Sequence, residues 1–349
     1  CAEDLKKQFP HLLIIAGGPM VSYNPIDEMN KFQFLDIISY DNIRGEEVFS
    51  SFINCLVGGK DFSEAKGIIY RNNGQLMTSP PLSHAVVHSH DTSPYIMGDV
   101  DLTEKRGYYV QIETSRGCPY TCGNCVWGGD SSKMNYLPME RVLKEIEAIY
   151  NNENVKHVLF VDSNMLSMKK RLKEIVGHIR KQKYYKNIST RMHLNIDYID
   201  EEVANLLVSL PGFSFDFGLQ TANLDSLRYI SPKRPDSEKF EKKIKLLQTW
   251  IPNLKFGIDL MIGLPCDKLQ SFKETLDFCL SLKPHRFFMA YPICLLPGTK
   301  FFKEKDKIGL IYSKEPPYAL IATPDFPLED IFEAVKISTW IQILTYYYP

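Results

Sequence analysis

Arg116-Gly117-Cys118-Pro119-Tyr120-Thr121-Cys122-Gly123-Asn124-Cys125 sets three cysteines in one short loop with the spacing Cys-x3-Cys-x2-Cys. Three thiolates can hold three corners of a 4Fe–4S cube and leave the fourth iron without a protein ligand. An open iron can bind a substrate directly, so the spacing points to chemistry rather than to plain electron carriage. A structural zinc site is the weaker alternative: it takes four closed ligands, often as two Cys-x-x-Cys pairs. The other cysteines, Cys1, Cys55, Cys266, Cys279 and Cys294, are scattered. A disulfide framework belongs to small secreted domains, and nothing in these 349 residues reads as a secretory signal.

The sequence on either side of the loop has a strict rhythm. Apolar runs at 108–114, 155–161, 188–194, 213–220, 256–263 and 285–293 read as strands, and helical stretches follow each of the first five. Met139–Tyr150 repeats Val142, Ile146 and Ile149 at the helical period, and Ser237–Trp250 and 271–282 behave likewise. Strand alternating with helix predicts a parallel sheet with right-handed crossovers. Six such units predict a partial (βα)6 barrel over 107–300, with the functional groups at the carboxyl ends of its strands. Those ends are the cysteine loop, Asp162-Ser163-Asn164, Asn195, Gly218-Leu219-Gln220-Thr221, Ile262-Gly263-Leu264-Pro265, and Tyr291-Pro292 with Leu296-Pro297-Gly298-Thr299 just beyond. Asp162 and Asn195 are equally at home as helix N-caps. His157, His193 and Tyr291 read as ordinary strand residues, and Arg191 reads equally as a sheet-surface residue or as a partner for a ligand carboxylate.

Residues 1–80 form a separate block. Leu12-Leu13-Ile14-Ile15-Ala16 reads as a buried strand with Gly17-Gly18-Pro19 at its carboxyl end, where open α/β sheets bind ligands. A second strand at 34–40 leads to Arg44-Gly45-Glu46-Glu47, which opens a helix with acids in its first turn. Gly67–Arg71 followed by Asn73-Gly74 reads as a strand entering a tight turn. Residues 81–106 are a polar, proline-bearing linker that contains His84, His88, His90 and Asp91, and 301–349 begins a cap. Residue 1 is Cys, and the last residues stop inside an apolar, aromatic stretch; both ends read as cuts in a longer chain.

Composition bounds the partners. The apolar share is 44%, the charged share 24% and the formal net charge −1, the values of an ordinary globular protein. No basic surplus supports binding to nucleic acid or to an anionic membrane, and no apolar run is long enough to span a bilayer. Free cysteines with a reducible cluster fit a cytoplasmic protein.

With these residues in view, the chain resembles the radical S-adenosylmethionine superfamily, which binds its cluster through the same cysteine loop. Gly-Leu-Gln, Ile-Gly-Leu-Pro and Leu-Pro-Gly-Thr in this order are similar to its cobalamin-binding subfamily. Residues 1–80 resemble the C-terminal part of that subfamily's flavodoxin-like cobalamin-binding domain, here incomplete. The resemblance implies that Cys118, Cys122 and Cys125 ligate the cluster and that its open iron chelates S-adenosylmethionine. It implies that Gln220 and the backbone near Gly263 face that cofactor; Asp162 and Asn195, polar groups at strand ends, are candidates for its amino group or ribose. It places Gly17, Gly18, Pro19, Gly45 and Glu46 toward cobalamin. Position 124 is usually aromatic in the family and lies near the adenine; here it is Asn124, whose amide can hydrogen-bond a base edge, with Trp127 close enough to offer a ring. Gly128-Gly129-Asp130-Ser131 resembles a glycine-rich extension found in part of the family, or is a plain turn. The implied reaction is methylation of an unactivated carbon in a small-molecule or peptide substrate, with a flavodoxin or ferredoxin as electron donor. Rearrangement, cyclisation or epimerisation without methyl transfer, or a non-catalytic fragment, are the alternatives. An RNA methylthiotransferase would need a second cysteine set and a basic module, which the sequence lacks.

Overall fold

The structure, a computed structural model, describes residues 1–41, 44–82, 93–104, 107–127, 134–231, 234–285 and 289–347. His84, His88, His90, Asp91 and the Gly128-Gly129-Asp130-Ser131 run lie outside the described residues. The chain forms two compact units. One comprises 1–87 with 295–304 and 315–317; the other comprises 88–294, 305–314 and 318–349.

The first unit is built on a four-stranded sheet: β1 (Ile15–Ala16), β2 (Ile37–Ser39), β3 (Ile68–Asn72) and β4 (Gln75–Thr78), in that spatial order. Only β1 and β2 run parallel; β2–β3 and β3–β4 are antiparallel. Strand alternation sends neighbouring residues to opposite faces, and both faces are covered. Ile37, Ile68 and Tyr70 pack with Val48 and Phe52 of helix Gly45–Val57. Ile38 and Ile69 pack with Met29 of helix Pro25–Lys31. The turn joining β3 to β4 has positive φ at both central residues, 48° at Asn73 and 81° at Gly74, the conformation the Asn-Gly pair favours. The apolar run at 12–16 yields only a two-residue strand, with Leu12 and Leu13 left exposed.

The second unit carries the six strands of the predicted rhythm. They are β5 (Tyr108–Ile112), β8 (Val155–Phe160), β9 (Ser189–Met192), β10 (Phe215–Gln220), β11 (Phe256–Ile262) and β12 (Met289–Pro292). All neighbours are parallel, and the ladders join them three and three: β5-β8-β9 and β10-β11-β12. Between β5 and β8 sits an antiparallel hairpin, β6 (Ser115–Gly117) with β7 (Met134–Tyr136). A short pair, β13 (Ile311–Tyr312) and β14 (Leu320–Ala322), and a 20-residue helix, Leu328–Tyr347, complete the unit. Alternation again sorts the side chains. Phe215, Phe217, Leu219, Ile258 and Leu260 are buried, Phe217 meeting Phe240 of helix Ser237–Trp250 edge-on. The opposite parity carries Asp216, Gly218, Gln220, Asp259 and Met261, all less buried. Among the described residues, no helix is long and apolar enough to cross a membrane.

Candidate functional site

The cysteine loop leaves the end of β6, where Gly117 stands opposite Met134 of β7. Gly117 has φ +95°, a conformation that favours glycine, and its carbonyl accepts from Ser163 Oγ at 2.6 Å. Beneath the loop, fully buried Asp162 takes the Thr114 N–H at 2.9 Å, the Thr114 hydroxyl at 2.7 Å and the Ser115 hydroxyl. That carboxylate locks the segment entering β6. Gly123 N–H donates to the Ile230 carbonyl at 2.9 Å, and Cys125 N–H to the Cys122 carbonyl at 3.1 Å, which closes the loop into a turn.

Cys118, Cys122 and Cys125 are all half-buried and line one cavity of about 510 Å³. The backbone N–H of Trp127 donates to Cys125 Sγ at 3.4 Å, and Arg234 Nη2 approaches Cys122 Sγ at 3.8 Å. Burial is the largest influence on the Cys125 thiol and pushes it up. Among the described residues, no three His, Cys, Asp or Glu side chains stand close enough to share one metal ion. A cube that takes each thiolate on a different iron asks for a wider set. Three free thiols on one wall, with N–H donors aimed at two of the sulfurs, fit such a cluster.

The rest of the cavity wall is polar and comes from several strand ends. Asn195 caps the short helix after β9, accepting from Asp197 N–H at 2.9 Å, and its Nδ2 donates to Tyr120 Oη at 3.0 Å. Burial, then the neighbouring Tyr198 hydroxyl, hold the Tyr120 proton well above the usual phenol range. Gln220 has φ +74°, and the β10–β11 register shifts between Gly218 and Gln220. A Cβ on Gly218 would stand 2.5 Å from Gln220 Nε2, so the glycine makes room for that amide. Arg234 donates to the Gly218 carbonyl at 2.7 Å, and its Nε is buried without a partner. Asp259 reaches the cavity from β11. Burial, then Asp216, raise its carboxyl to about 6. Asp216 is itself paired with Arg191. Burial holds the His193 imidazole below its ordinary value. Asn164 and Asn124 each keep one buried amide atom unpartnered, Nδ2 and Oδ1 respectively. Orphans of this kind cost about 1–3 kcal/mol each.

Of the residues singled out in the sequence, Cys118, Cys122, Cys125, Asn124, Asn195 and Gln220 come together on this cavity. Asp162 and Gly263 do not line it. Asp162 has no exposed surface because its acceptors are spent on Thr114 and Ser115. Gly263, at φ +83°, packs so closely that an added Cβ would lie 2.3 Å from Leu320 Cδ2. In the first unit, Gly17-Gly18-Pro19 follows β1, and Gly45-Glu46 opens the helix after β2. Since β1 and β2 are parallel neighbours, both turns lie at one edge of that sheet. Asp259 and Arg234 were not foreseen as site residues, while Tyr120 and Asn164 lie in segments expected at the site but were given no role of their own. Strand parity could have found Asp259, two residues from Met261 on the same face; Arg234 sits on a connection with no periodic signal.

The Radical SAM superfamily profile matches residues 112–279. Over that span the chain is similar to the Radical SAM superfamily. The chain is 25% identical over 319 residues to the cobalamin-dependent radical SAM methyltransferase TokK of Streptomyces tokunonensis, covering 85% of this chain and 45% of the relative. It is similarly 25% identical over 318 residues to 2-(S-pantetheinyl)-carbapenam-3-carboxylate methyltransferase of Streptantibioticus cattleyicolor. The chain spans about half the length of these curated relatives. Among solved structures, the methyltransferase TsrM from Kitasatospora setae, with cobalamin and a [4Fe-4S] cluster bound, superposes with TM-score 0.69 at 16% identity. That match covers 90% of this chain and 61% of the other. The cobalamin-dependent radical enzyme OxsB, with aqua-cobalamin and S-adenosylmethionine bound, gives TM-score 0.71 at 16% identity over 98% of this chain and 56% of that one. The matched span begins at the last residue of β5, takes in the cysteine loop and β6–β11, and ends before β12.

Proposed function

We propose that this chain is the radical-generating part of a cobalamin-dependent radical SAM methyltransferase acting on an unactivated carbon. The observation that carries it is the meeting of Cys118, Cys122 and Cys125 with Gln220, Arg234 and Asp259 on one cavity of a radical SAM domain. When bound, a 4Fe–4S cluster with S-adenosylmethionine supplies a 5′-deoxyadenosyl radical able to take a hydrogen atom from carbon, and a methylated corrinoid supplies the methyl group. The chain's own residues hold and aim these groups. The three cysteines would ligate three irons. Arg234, with its unpartnered Nε, suits the carboxylate of the methionine moiety. Asp259 and the Gln220 amide suit the ribose hydroxyls.

The two three-stranded sheets would be halves of the partial barrel, and the β1–β2 edge bearing Gly17, Gly18, Pro19, Gly45 and Glu46 would face the corrinoid. The small-molecule or peptide substrate, a flavodoxin or ferredoxin as electron donor, and a reducing cytoplasmic setting belong to the same proposal. The test is anaerobic purification of the full-length protein, with iron, sulfide, corrinoid and 5′-deoxyadenosine measured. Deoxyadenosine release and a product heavier by one methyl group are expected, and Cys122→Ala should lose the cluster absorbance. An unchanged product mass would replace methylation by rearrangement. Zinc in place of iron, or an intact cluster spectrum in Cys122→Ala, would overturn the ligand assignment.

A further inference from the structure

Two of the loop sulfurs meet N–H donors of different kinds. Cys125 Sγ takes the neutral backbone N–H of Trp127 at 3.4 Å, whereas Cys122 Sγ is approached by a charged donor, Arg234 Nη2 at 3.8 Å. Arg234 lies on the connection between helices Leu224–Ile230 and Ser237–Trp250 and lines the same cavity as the thiols. Its Nη1 donates to the Gly218 carbonyl of β10 at 2.7 Å. A guanidinium is planar and rigid, so the bond that holds one of its nitrogens also aims the other. Gly218 leaves space for this arrangement, since a Cβ there would already touch Nη1 at 3.8 Å. The strand therefore fixes a positive charge, one that no accessible pH removes, against one sulfur of the set.

We propose that Arg234 sets the reduction potential of the cluster. Its charge, held at Cys122 by the Gly218 carbonyl, favours the reduced form. Reduction by one electron, taken from the flavodoxin or ferredoxin donor, makes the cluster and its thiolates more negative by one charge and breaks no bond. A cation beside a ligating sulfur stabilises that product more than the oxidised form. Net charge and hydrogen bonds to sulfur are among the levers by which a protein tunes such a cluster. The inference rests on the cluster named under the proposed function. It makes Arg234 a residue that acts through Cys122, apart from any contact with S-adenosylmethionine.

The test is a potentiometric titration of the anaerobically reconstituted full-length protein without S-adenosylmethionine, followed by electron paramagnetic resonance with titanium citrate as reductant. Iron and sulfide are counted for each variant. Arg234→Met should keep the cluster and lower its reduction equilibrium constant about tenfold, a shift of about 59 mV toward negative potential for one electron. Arg234→Lys keeps the charge without the fork and should recover most of that shift. If Arg234→Met fails to hold iron, Arg234→Gln is the neutral member of the comparison. A neutral variant with the parent's potential, or Arg234→Lys as negative as the neutral variant, would overturn the inference while leaving the cluster standing. A parent protein that takes up no iron–sulfur cluster would overturn the inference and the proposed function together.

Discussion

Asp259 shows how one side chain's environment becomes a measurable pH dependence. Burial, then Asp216, keep its proton on up to about 6, above the ordinary carboxylate value. Between about pH 4 and 6 the folded chain therefore holds a proton that the unfolded chain has released. Stability from this residue is greatest at the acid end and falls as pH rises through that window. The expected loss is about 3 kcal/mol at most. Asp259→Asn should flatten it: urea unfolding at pH 4 and pH 7 should differ less in the variant than in the parent, and equal slopes would refute the assignment. Affinity for S-adenosylhomocysteine should rise through pH 6 in the parent as the carboxylate ionises, and stay level in Asp259→Asn.

The cysteine loop was legible residue by residue because its spacing is itself chemistry. Asp259 was not, since a single acid in an apolar strand announces itself only through the parity of its neighbours. Asn195 was legible in both senses: it caps a helix turn and also lines the cavity. Asp162 resolved the other way, into a brace.

At the scale of elements, two glycines of neighbouring strand ends should behave differently. Gly218 in β10 has ordinary φ, and an added Cβ would clash with the end of the flexible Gln220 side chain and touch Arg234 at van der Waals distance. Gly218→Ala should therefore change unfolding free energy by less than about 1 kcal/mol, yet displace the Gln220 amide and weaken S-adenosylhomocysteine binding several-fold. Gly263, after β11, combines φ +83° with a clash against buried Leu320. Gly263→Ala should cost about 2–3 kcal/mol in denaturant unfolding, with weaker binding only as far as folding is lost. The reverse pattern would exchange the two roles. Element positions were readable from the alternation of apolar runs, and helices Met139–Tyr150 and Ser237–Trp250 fall where the helical period put them. The β10 irregularity at Gln220 was not readable. A left-handed glutamine has no sequence signature, because tertiary packing rather than local preference sets it.

Across the whole molecule, hydrophobic burial is independent of the three thiols. The buried apolar residues come from strands and helices of both units, while all three loop cysteines remain half-buried. Removing iron with an anaerobic chelator should leave far-UV circular dichroism unchanged and lower the thermal midpoint only slightly; collapse of the helical signal would show that the cluster is needed for folding. The division of labour between sheets was only partly legible. Alternation predicted six parallel strands but not that their ladders join three and three, because pairing is decided by contacts between residues far apart in sequence. The first unit's mixed sheet was hidden for the same reason: nothing in the run at 68–72 says which way it will lie against β2.

The brace at Asp162 has a consequence for anyone scanning the protein by saturation mutagenesis. Three donors converge on that one short carboxylate. Asparagine, with its oxygen kept toward the Thr114 N–H, would turn its amide NH2 toward the two hydroxyls, which must then rotate to accept, and glutamate would be too long for the space. A tolerance map should therefore show position 162 restricted to aspartate with asparagine as the best substitute, although the residue does not line the cavity. In this protein, intolerance to replacement marks the scaffold under the reactive loop as well as the loop.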